Sequence, residues 1–230
     1  MGFGRPFVDC RDIQKGGKAG KQFRLNILSE TAAIIPSGQN LKGSKKMKKV
    51  TLLGDSIRMI GYGAKVEEEL KKDGIEVFQP EDNCRFAKYT LRMLFDYKEQ
   101  IAGSDVIHWN NGLWDICNLF GDGPFTPTGE YAETMLRIAD LLLNITPDVI
   151  FATTTPVRSA YRWQTSADIE KLNEAIVPEL KKKGVAINDL YSLIYPVKEE
   201  VIRDDDLIHL NEKGIGLCSA QVLMKIREHL

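Results

Sequence analysis

The sequence predicts an α/β protein in which a five-stranded parallel sheet lies between two layers of helices, a three-layer α/β/α sandwich. From position 48 onward, short apolar segments alternate with longer segments whose apolar residues recur at helical spacing. The apolar segments are continuous, as expected for strands that helices cover on both faces. Because helix-length connections separate them, consecutive strands should run parallel with right-handed crossovers.

The elements can be assigned in chain order. "KVTLLG" predicts the first strand, and "SIRMIGYGAKVEEELKKDG" predicts a helix that Gly74 ends. "IEVFQP" predicts a short strand and "CRFAKYTLRMLFDYKEQIA" an amphipathic helix. "DVIHWNNG" and "DVIFATTTPV" predict strands, with the helix "GEYAETMLRIADLLLNIT" between them. The helix "SADIEKLNEAIVPELKKKG", the strand "VAINDLY", a short helix at "PVKEEVI" and the helix "NEKGIGLCSAQVLMKIREHL" complete the series.

Length and charge favour one sizeable globular domain. The 230 residues are 43% hydrophobic and carry a net charge of −1, which argues against bulk attraction to nucleic acid or anionic membrane. Residues 1–46 differ, with nine Lys or Arg against three Asp or Glu. We predict a basic, flexible N-terminal extension over 1–46 and one domain over 47–230, with a partner-binding tail as the alternative.

The four cysteines lie far apart and form no C-x-x-C pair, which argues against zinc-ribbon, thioredoxin and disulfide-framework classes. No apolar run resembles a secretory signal or approaches the length of a membrane span. We therefore expect a cytoplasmic protein with no cofactor, no metal, and neither nucleic acid nor membrane as a partner. The oligomeric state stays open.

Gly54-Asp55-Ser56 directly follows the first predicted strand, where parallel α/β folds place their ligands. Gly permits a sharp turn, and Ser56 then sits at a helix N-terminus, which favours negative charge. Two interpretations stay open. The segment is either an ordinary helix cap or the site of a nucleophile.

A carboxylate and an imidazole lie three residues apart in "DDDLIHL", ahead of the terminal helix. Asp206 can fold back onto His209, so that one ring nitrogen donates to the carboxylate and the other acts as a base. A solvated acidic loop is the alternative. Of the other histidines, His108 lies within a strand and His229 next to the C-terminus.

Side-chain amides follow two further strands. In "WNNGLWD", Asn110 and Asn111 can present donors to a developing oxyanion, or can simply form a tight turn. In "EDNCRF", Asn83, Arg85 or the backbone can supply further donors. A hydroxyl after strand one, an amide after strand three and Asp-x-x-His before the last helix should converge on one edge of the sheet.

These blocks resemble the SGNH, or GDSL-type, esterase superfamily. Gly54-Asp55-Ser56 is similar to its first block and Asp206-x-x-His209 to its last, and the resemblance covers roughly 48–230. The middle blocks depart from the pattern, because Trp114 stands where the usual Asn would be. The second-block Gly is absent from "EDNCRF". The resemblance implies a flavodoxin-like SGNH hydrolase fold.

The resemblance also implies roles. Ser56 would be the nucleophile, His209 the general base and then acid, and Asp206 the orienting carboxylate. The oxyanion hole would comprise Ser56, Asn110 or Asn111, and a donor from the loop of Asn83 and Arg85. The implied activity is hydrolysis of small acyl oxygen esters, acetyl above all, on a small-molecule substrate that can be an acetylated sugar.

Four residues near these blocks are expected to bind substrate. Arg58 follows the nucleophile by two positions and would either line the pocket or pair with a carboxylate. Trp114 belongs to the third-strand loop. Arg158 and Tyr161 follow the fourth strand and would suit a sugar or an aromatic ester.

Other classes fit the sequence less well. It contains no G-x-S-x-G nucleophile elbow, no P-loop, no strand followed by G-x-G-x-x-G, and no metal-ligand spacing. Acyl transfer to an alcohol stays open, because the same triad serves it. A non-catalytic binding module on this fold and a phosphotransfer receiver-like domain are further alternatives, although Asp55 with Asp115 fits the receiver pattern poorly.

Overall fold

The apolar segments that the sequence marks as strands pair into one parallel sheet. A computed structural model describes residues 47–230, so the predicted N-terminal extension lies outside the described residues. The strand order is β2-β1-β3-β4-β5, and all neighbours are parallel, which confirms the predicted fold class. The strands are β1 (Lys49–Leu53), β2 (Glu76–Phe78), β3 (Val106–Trp109), β4 (Val149–Ala152) and β5 (Ala186–Asn188).

Helices fill the connections and form two layers. They are α1 (Gly63–Lys72), α2 (Ala87–Asp96), α3 (Lys98–Ile101), α4 (Thr128–Leu143), α5 (Ser166–Lys182), α6 (Leu190–Ile194), α7 (Lys198–Val201) and α8 (Glu212–Glu228). A π-helical turn over Arg58–Tyr62 leads into α1, and a 3-10 turn over Tyr195–Val197 joins α6 to α7. Helix α8 contacts both α1 and α6, and helix α4 contacts both α2 and α5.

Alternate residues of each strand face two separate apolar clusters. Val50 and Leu52 of β1 pack in the cluster that contains residues of α1, α6 and α8, whereas Leu53 packs with residues of α2, α4 and α5. All three are fully buried. Burial on both faces is the reason that the strands read as continuous apolar runs.

Two boundaries differ from the sequence prediction for local reasons. The helix predicted over residues 84–102 is broken at Tyr97, whose backbone is not helical, into α2 and α3. The fifth strand ends before Asp189, because this side chain accepts a hydrogen bond from the N–H of Ser192 at 3.1 Å and caps α6. Local capping thus ends a strand that the apolar pattern would have continued.

The strand order creates a crevice at the carboxyl ends of β1 and β3. From β1 the chain crosses to β2 on one side and then returns to β3 on the other side. In open parallel sheets, ligands bind at this kind of reversal. Among the described residues, no helix combines the length and the apolar character needed to cross a bilayer.

One strand residue in the core is titratable. His108 of β3 is fully buried, its Nε2 lies 3.1 Å from Nδ2 of Asn188, and its ring meets the edge of Tyr62 at 5.6 Å. Burial lowers the pKa of His108 to about 3. As pH falls below the ordinary pKa of about 6.5, the unfolded chain takes up this proton first, so the folded state loses stability between roughly pH 6.5 and 3.

We therefore expect His108→Gln to flatten the acid limb of the stability profile. Between pH 6.5 and 5, the free energy of unfolding should fall by about 2 kcal/mol less in the variant than in the wild type. Urea unfolding followed by tryptophan fluorescence at both pH values measures the difference. The test compares the change in unfolding free energy between the two pH values, so a lower overall stability of the variant does not affect it. An equal change in the variant and the wild type would contradict the assignment.

Candidate functional site

The turn after β1 requires a glycine. Gly54 has a φ of +155°, and a Cβ there would overlap Oδ1 of Asn110. Its N–H donates to Sγ of Cys84 at 3.3 Å, and its carbonyl accepts from the N–H of Cys84 at 3.0 Å. The absence of a side chain therefore lets the loops that follow β2 and β3 close on the end of β1.

Asp55 holds the start of the next helix. Its carboxylate Oδ1 accepts from the N–H of Ile57 at 2.9 Å and from Nδ2 of Asn110 at 2.7 Å, and its carbonyl accepts from the N–H of Arg58 at 3.1 Å. Burial raises the pKa of Asp55, and the two hydrogen bonds to Oδ1 oppose that rise. Asp55 thus caps the helix on whose first turn Ser56 lies.

The loop before α8 folds a carboxylate onto an imidazole. Leu207 has a φ of +65°, a left-handed conformation that turns the chain back on itself. Oδ1 of Asp206 then accepts from the N–H groups of Ile208 and His209 at 3.0 and 2.9 Å. The other carboxylate oxygen, Oδ2, lies 3.0 Å from Nδ1 of His209.

Neighbouring backbone anchors this loop. The N–H of Arg203 donates to the carbonyl of His209 at 2.8 Å, and the N–H of Arg158 donates to the carbonyl of Leu207 at 3.0 Å. The guanidinium of Arg158 pairs with Glu199 at 3.1 Å and lines a different cleft. Arg158 therefore supports the loop through its backbone, and the structure does not bring its side chain to the predicted substrate pocket.

The imidazole reaches the hydroxyl at the other end of the domain. Nε2 of His209 lies 2.8 Å from Oγ of Ser56, 153 positions away in the chain. Burial opposes ionisation of Asp206, but hydrogen bonds from the N–H groups of His209 and Ile208 and from the ring hold its pKa below the usual range. With Asp206 ionised, Nδ1 carries the proton and Nε2 is free to accept from the serine hydroxyl.

These side chains open into an apolar cavity of about 420 Å³. Most of its lining is aliphatic or aromatic. The lining residues are Ser56, Ile60, Asn83, Leu113, Trp114, Cys117, Leu119, Phe125, Tyr161, Ile208 and His209.

Two of the four predicted substrate-binding residues, Trp114 and Tyr161, line this cavity. Arg58 does not. Its side chain is buried, and its guanidinium donates to the carbonyls of Pro80 and Asp82, both at 2.9 Å. Of the two predicted roles for Arg58, neither lining the pocket nor pairing with a carboxylate is seen, because the backbone of the loop after β2 takes its donors.

The structure also assigns other partners to the amides after β3. Nδ2 of Asn111 donates to the carbonyl of Arg85 at 3.0 Å, and its Oδ1 accepts from Thr90 at 2.9 Å. Oδ1 of Asn110 accepts from the hydroxyl of Tyr62 at 2.9 Å, while its Nδ2 serves the turn at Asp55. Neither Asn110 nor Asn111 lines the cavity.

The loop after β2 uses its backbone donors internally. The N–H of Asn83 donates to Oδ1 of Asp82 at 2.7 Å, and the N–H of Arg85 donates to Oδ1 of Asn83 at 2.8 Å. The N–H of Cys84 is bonded to Gly54. The Arg85 side chain pairs with Asp82 at 3.1 Å and lies outside the cavity lining, so the structure does not bring it to the site.

Asn83 and Ser56 each have a donor group at the cavity. Asn83 lines the cavity, and within residues 47–230 its Nδ2 has no hydrogen-bond partner. The N–H of Ser56 lies in the first turn of its helix, where N–H groups have no acceptor within the helix. These two groups, from the loops after β1 and β2, are therefore candidate donors to an oxyanion formed at Ser56.

Sequence reasoning missed most of the apolar lining and the residue that holds its loop. Asp115 accepts from the N–H of Ala87 at 3.0 Å and from the hydroxyl of Thr126 at 2.9 Å, and burial raises its pKa to about 6. It ties the loop after β3 to the start of α2. The signal for this wall was the apolar content of the connection "LWDICNLFGDGPF".

In the part of the chain that the structure describes, no group of three or more His, Cys, Asp or Glu side chains is arranged to hold a metal ion.

Several solved structures with a similar fold are named as lipases or esterases. A lipase/acylhydrolase from Enterococcus faecalis is 20% identical, with a TM-score of 0.63 over 79% of this chain and 96% of that one. A member of the lipolytic protein G-D-S-L family from Veillonella parvula is 16% identical, with a TM-score of 0.61 over 77% and 97%. The acetylxylan esterase Axe2 from Geobacillus stearothermophilus is 14% identical, with a TM-score of 0.62 over 78% and 94%.

No family model and no curated protein matches the sequence. The structural likeness nevertheless shows that the chain has the fold of these GDSL-type hydrolases, which confirms the fold that the resemblance implied. At these identities the likeness concerns the fold, and the activity has to be argued from the site.

Comparing Gly54→Ala with Gly74→Ala separates the effect of steric overlap on stability from the effect of backbone strain. We expect Gly54→Ala to lower the free energy of unfolding by about 3 kcal/mol, because it adds overlap with Asn110 to the cost of a left-handed alanine. Gly74 has a φ of +74° with open space around it. Gly74→Ala should therefore cost only about 1–2 kcal/mol. Urea unfolding measures both, and equal losses would contradict the close approach.

Proposed function

We propose that the chain hydrolyses carboxylic oxygen esters through a covalent acyl-enzyme on Ser56. One observation carries this proposal. The Oγ of Ser56 lies 2.8 Å from Nε2 of His209, whose Nδ1 lies 3.0 Å from Asp206, so a hydroxyl, a base and an orienting carboxylate form one chain of hydrogen bonds. Nucleophile, base and orienting group within bonding reach are the recognised signature of covalent acyl transfer.

In the acylation step, Oγ of Ser56 attacks the ester carbonyl carbon while Nε2 of His209 takes the hydroxyl proton. Asp206 holds the tautomer in which Nε2 is the acceptor and stabilises the imidazolium that forms. The tetrahedral intermediate collapses when the bond to the alcohol oxygen breaks. Nε2 then returns its proton to that oxygen, and the alcohol departs, leaving the acyl group on Ser56.

In the second half of the cycle, water takes the place of the alcohol. Nε2 of His209 removes a proton from the water as it attacks the acyl carbon, and the same proton then passes to Oγ of Ser56 as the carboxylic acid leaves. The ester bond and one water molecule are consumed, and the free enzyme is restored.

The oxyanion of each tetrahedral intermediate needs donors that are already in place. The N–H of Ser56 and Nδ2 of Asn83 fit this role, since within residues 47–230 neither has a hydrogen-bond acceptor and both residues line the cavity. Asn110 and Asn111, which the sequence suggests for the role, instead hold the turn and the neighbouring loop. We assign them to positioning rather than to contact with the reacting atoms.

The alcohol part of the substrate is proposed to be a carbohydrate. Among the solved structures of this fold are proteins named acetyl xylan esterase and acetyl-xylooligosaccharide esterase. In this chain, the half-exposed ring of Tyr161 beside His209 offers an aromatic face against which a sugar ring can pack. A small-molecule ester of a sugar hydroxyl is therefore the substrate class to assay first.

Removing the nucleophile should abolish turnover. We expect Ser56→Ala to lower kcat for p-nitrophenyl esters by about 10⁶-fold, because among the described residues Ser56 is the only serine or threonine that lines the cavity. A fluorophosphonate probe should label the wild type at Ser56 and leave the variant unlabelled. Ser192→Ala is the matched control, since Ser192 is exposed and bonds only to the cap of α6. A non-catalytic binding module would give no labelling of the wild type.

Removing the side-chain donor of the oxyanion hole should slow chemistry without weakening binding. We expect Asn83→Ala to lower kcat by about 10²–10³-fold with little change in KM, because the donor acts mainly on the charged intermediate. Asn110→Ala is the comparison, and its main effect should be on the free energy of unfolding. If Asn83→Ala kept a normal kcat and a folded Asn110→Ala lost about 10²-fold in kcat, the oxyanion donor would be Asn110 instead.

A further inference from the structure

The cavity beside Ser56 is far larger than a small acyl group needs. An acetyl group has three non-hydrogen atoms and occupies roughly the space of three water molecules, about 90 Å³. The cavity encloses about 420 Å³, which lies within the range of sites that bury drug-sized ligands. With an acetyl ester whose alcohol packs at Tyr161, the side chains of Trp114, Leu119 and Phe125 would still face water.

The walls are also unusually exposed for apolar groups of this size. Trp114 is 38% exposed, Leu119 42%, Phe125 45% and Ile60 51%, and all four line the cavity. Large apolar side chains gathered in this way around a concave site mark a surface that binds an apolar partner. Because they surround the reactive hydroxyl, that partner is part of the ester itself.

The fold decides which part of the ester meets which wall. His209 must return its proton to the alcohol oxygen, so the alcohol leaves on the side formed by the loop before α8. Trp114, Leu119 and Phe125 belong instead to the connection between β3 and α4. Helix α4 packs on the face of the sheet opposite to α8. The acyl group therefore extends away from His209, along this second wall.

Aromatic contacts hold that wall in shape. The ring of Phe86 meets Trp114 at 5.4 Å and Phe125 at 5.5 Å, both edge to face, and Phe125 meets Phe120 at 6.1 Å in the same way. Such pairs are mutually attractive beyond the area that they bury. An apolar chain thus meets a preformed surface and need not order it on binding.

We propose that the acyl group is a medium-length apolar chain, on the order of six to eight carbons, bound along Trp114, Leu119 and Phe125. These three residues then determine acyl specificity. The inference rests on the proposed function and specifies its acyl group, for which the resemblance of the sequence implied acetyl above all. Each added methylene that enters the cavity should raise kcat/KM by about fourfold, the factor set by transfer of a CH₂ group from water.

The first measurement uses esters that differ only in chain length. On the full chain, kcat/KM should rise from p-nitrophenyl acetate through butanoate and hexanoate to octanoate. Ethyl octanoate and octyl acetate are isomers that place the long chain on the acyl or on the alcohol side, and pH-stat titration should show ethyl octanoate as the better substrate. A maximum at acetate, or faster cleavage of octyl acetate, would overturn the proposal.

Variants of the wall provide the second measurement. Trp114→Ala and Phe125→Ala should lower kcat/KM for octanoate at least tenfold more than for acetate. Leu119→Ser, in an exposed loop position, tests the same wall if either aromatic variant fails to fold. Phe95→Ala is the matched control, because Phe95 is 66% exposed on α2 and lies outside the cavity. Equal losses across all chain lengths would overturn the assignment.

Failure of this inference is distinguishable from failure of the proposed function. Fluorophosphonate labelling of Ser56 together with a preference for acetate would reject the acyl assignment and keep the serine mechanism. Absence of labelling, with unchanged turnover in Ser56→Ala, would reject both.

Discussion

The site depends on one hydrogen bond between the first and last connections of the domain, from Oγ of Ser56 to Nε2 of His209. A neutral hydrogen bond contributes only about 1 kcal/mol net, too little to hold two distant segments together. The contact must therefore be a consequence of packing. Ser56 leads into α1, His209 precedes α8, and these two helices pack against each other on one face of the sheet. The apolar cluster supplies the stability, and the hydrogen bond supplies the geometry.

Around Ser56 and His209 lies a set of buried polar side chains that have no step in the proposed reaction. Asn110, Asn111, Arg58 and Asp115 each satisfy donors or acceptors of neighbouring loops. A buried polar group without a hydrogen-bond partner costs about 1–3 kcal/mol. These hydrogen bonds therefore hold the loops at this edge of the sheet in specific positions. The polar network thus fixes the loops that present Ser56, Asn83 and the apolar wall.

The buried polar side chains contrast with the apolar lining of the cavity, and this contrast affects the electrostatics of the site. Cationic side chains near the site, Arg85 and Arg158, are paired with carboxylates outside the cavity. Around Ser56 and His209 the lining is chiefly aliphatic and aromatic. A substrate that fills it excludes water, and in the resulting low dielectric the pairing of Asp206 with the imidazole becomes stronger. In the proposed mechanism, binding of the apolar part of the ester and stabilisation of the charged intermediate are therefore coupled.

The sequence alone determined the sheet, its parallel direction, and the segments that carry the hydroxyl and the Asp-x-x-His pair. These follow from periodicity, from Gly54 at a strand end, and from a three-residue spacing, all of which are local. Local sequence did not determine the roles of the side-chain amides. In the sequence, Asn110 and Asn83 are both asparagines that follow a strand. Only the tertiary contacts show that Asn110 bonds to Asp55 and Tyr62, whereas Asn83 lines the cavity.

The size and lining of the cavity were likewise decided only in three dimensions. They depend on how the connection from β3 to α4 folds over the sheet edge, and that connection has no regular period from which its shape could be read. A sequence pattern reports which side of an element is apolar. It does not report the space left between elements, because that space is the sum of packing choices made far apart in the chain.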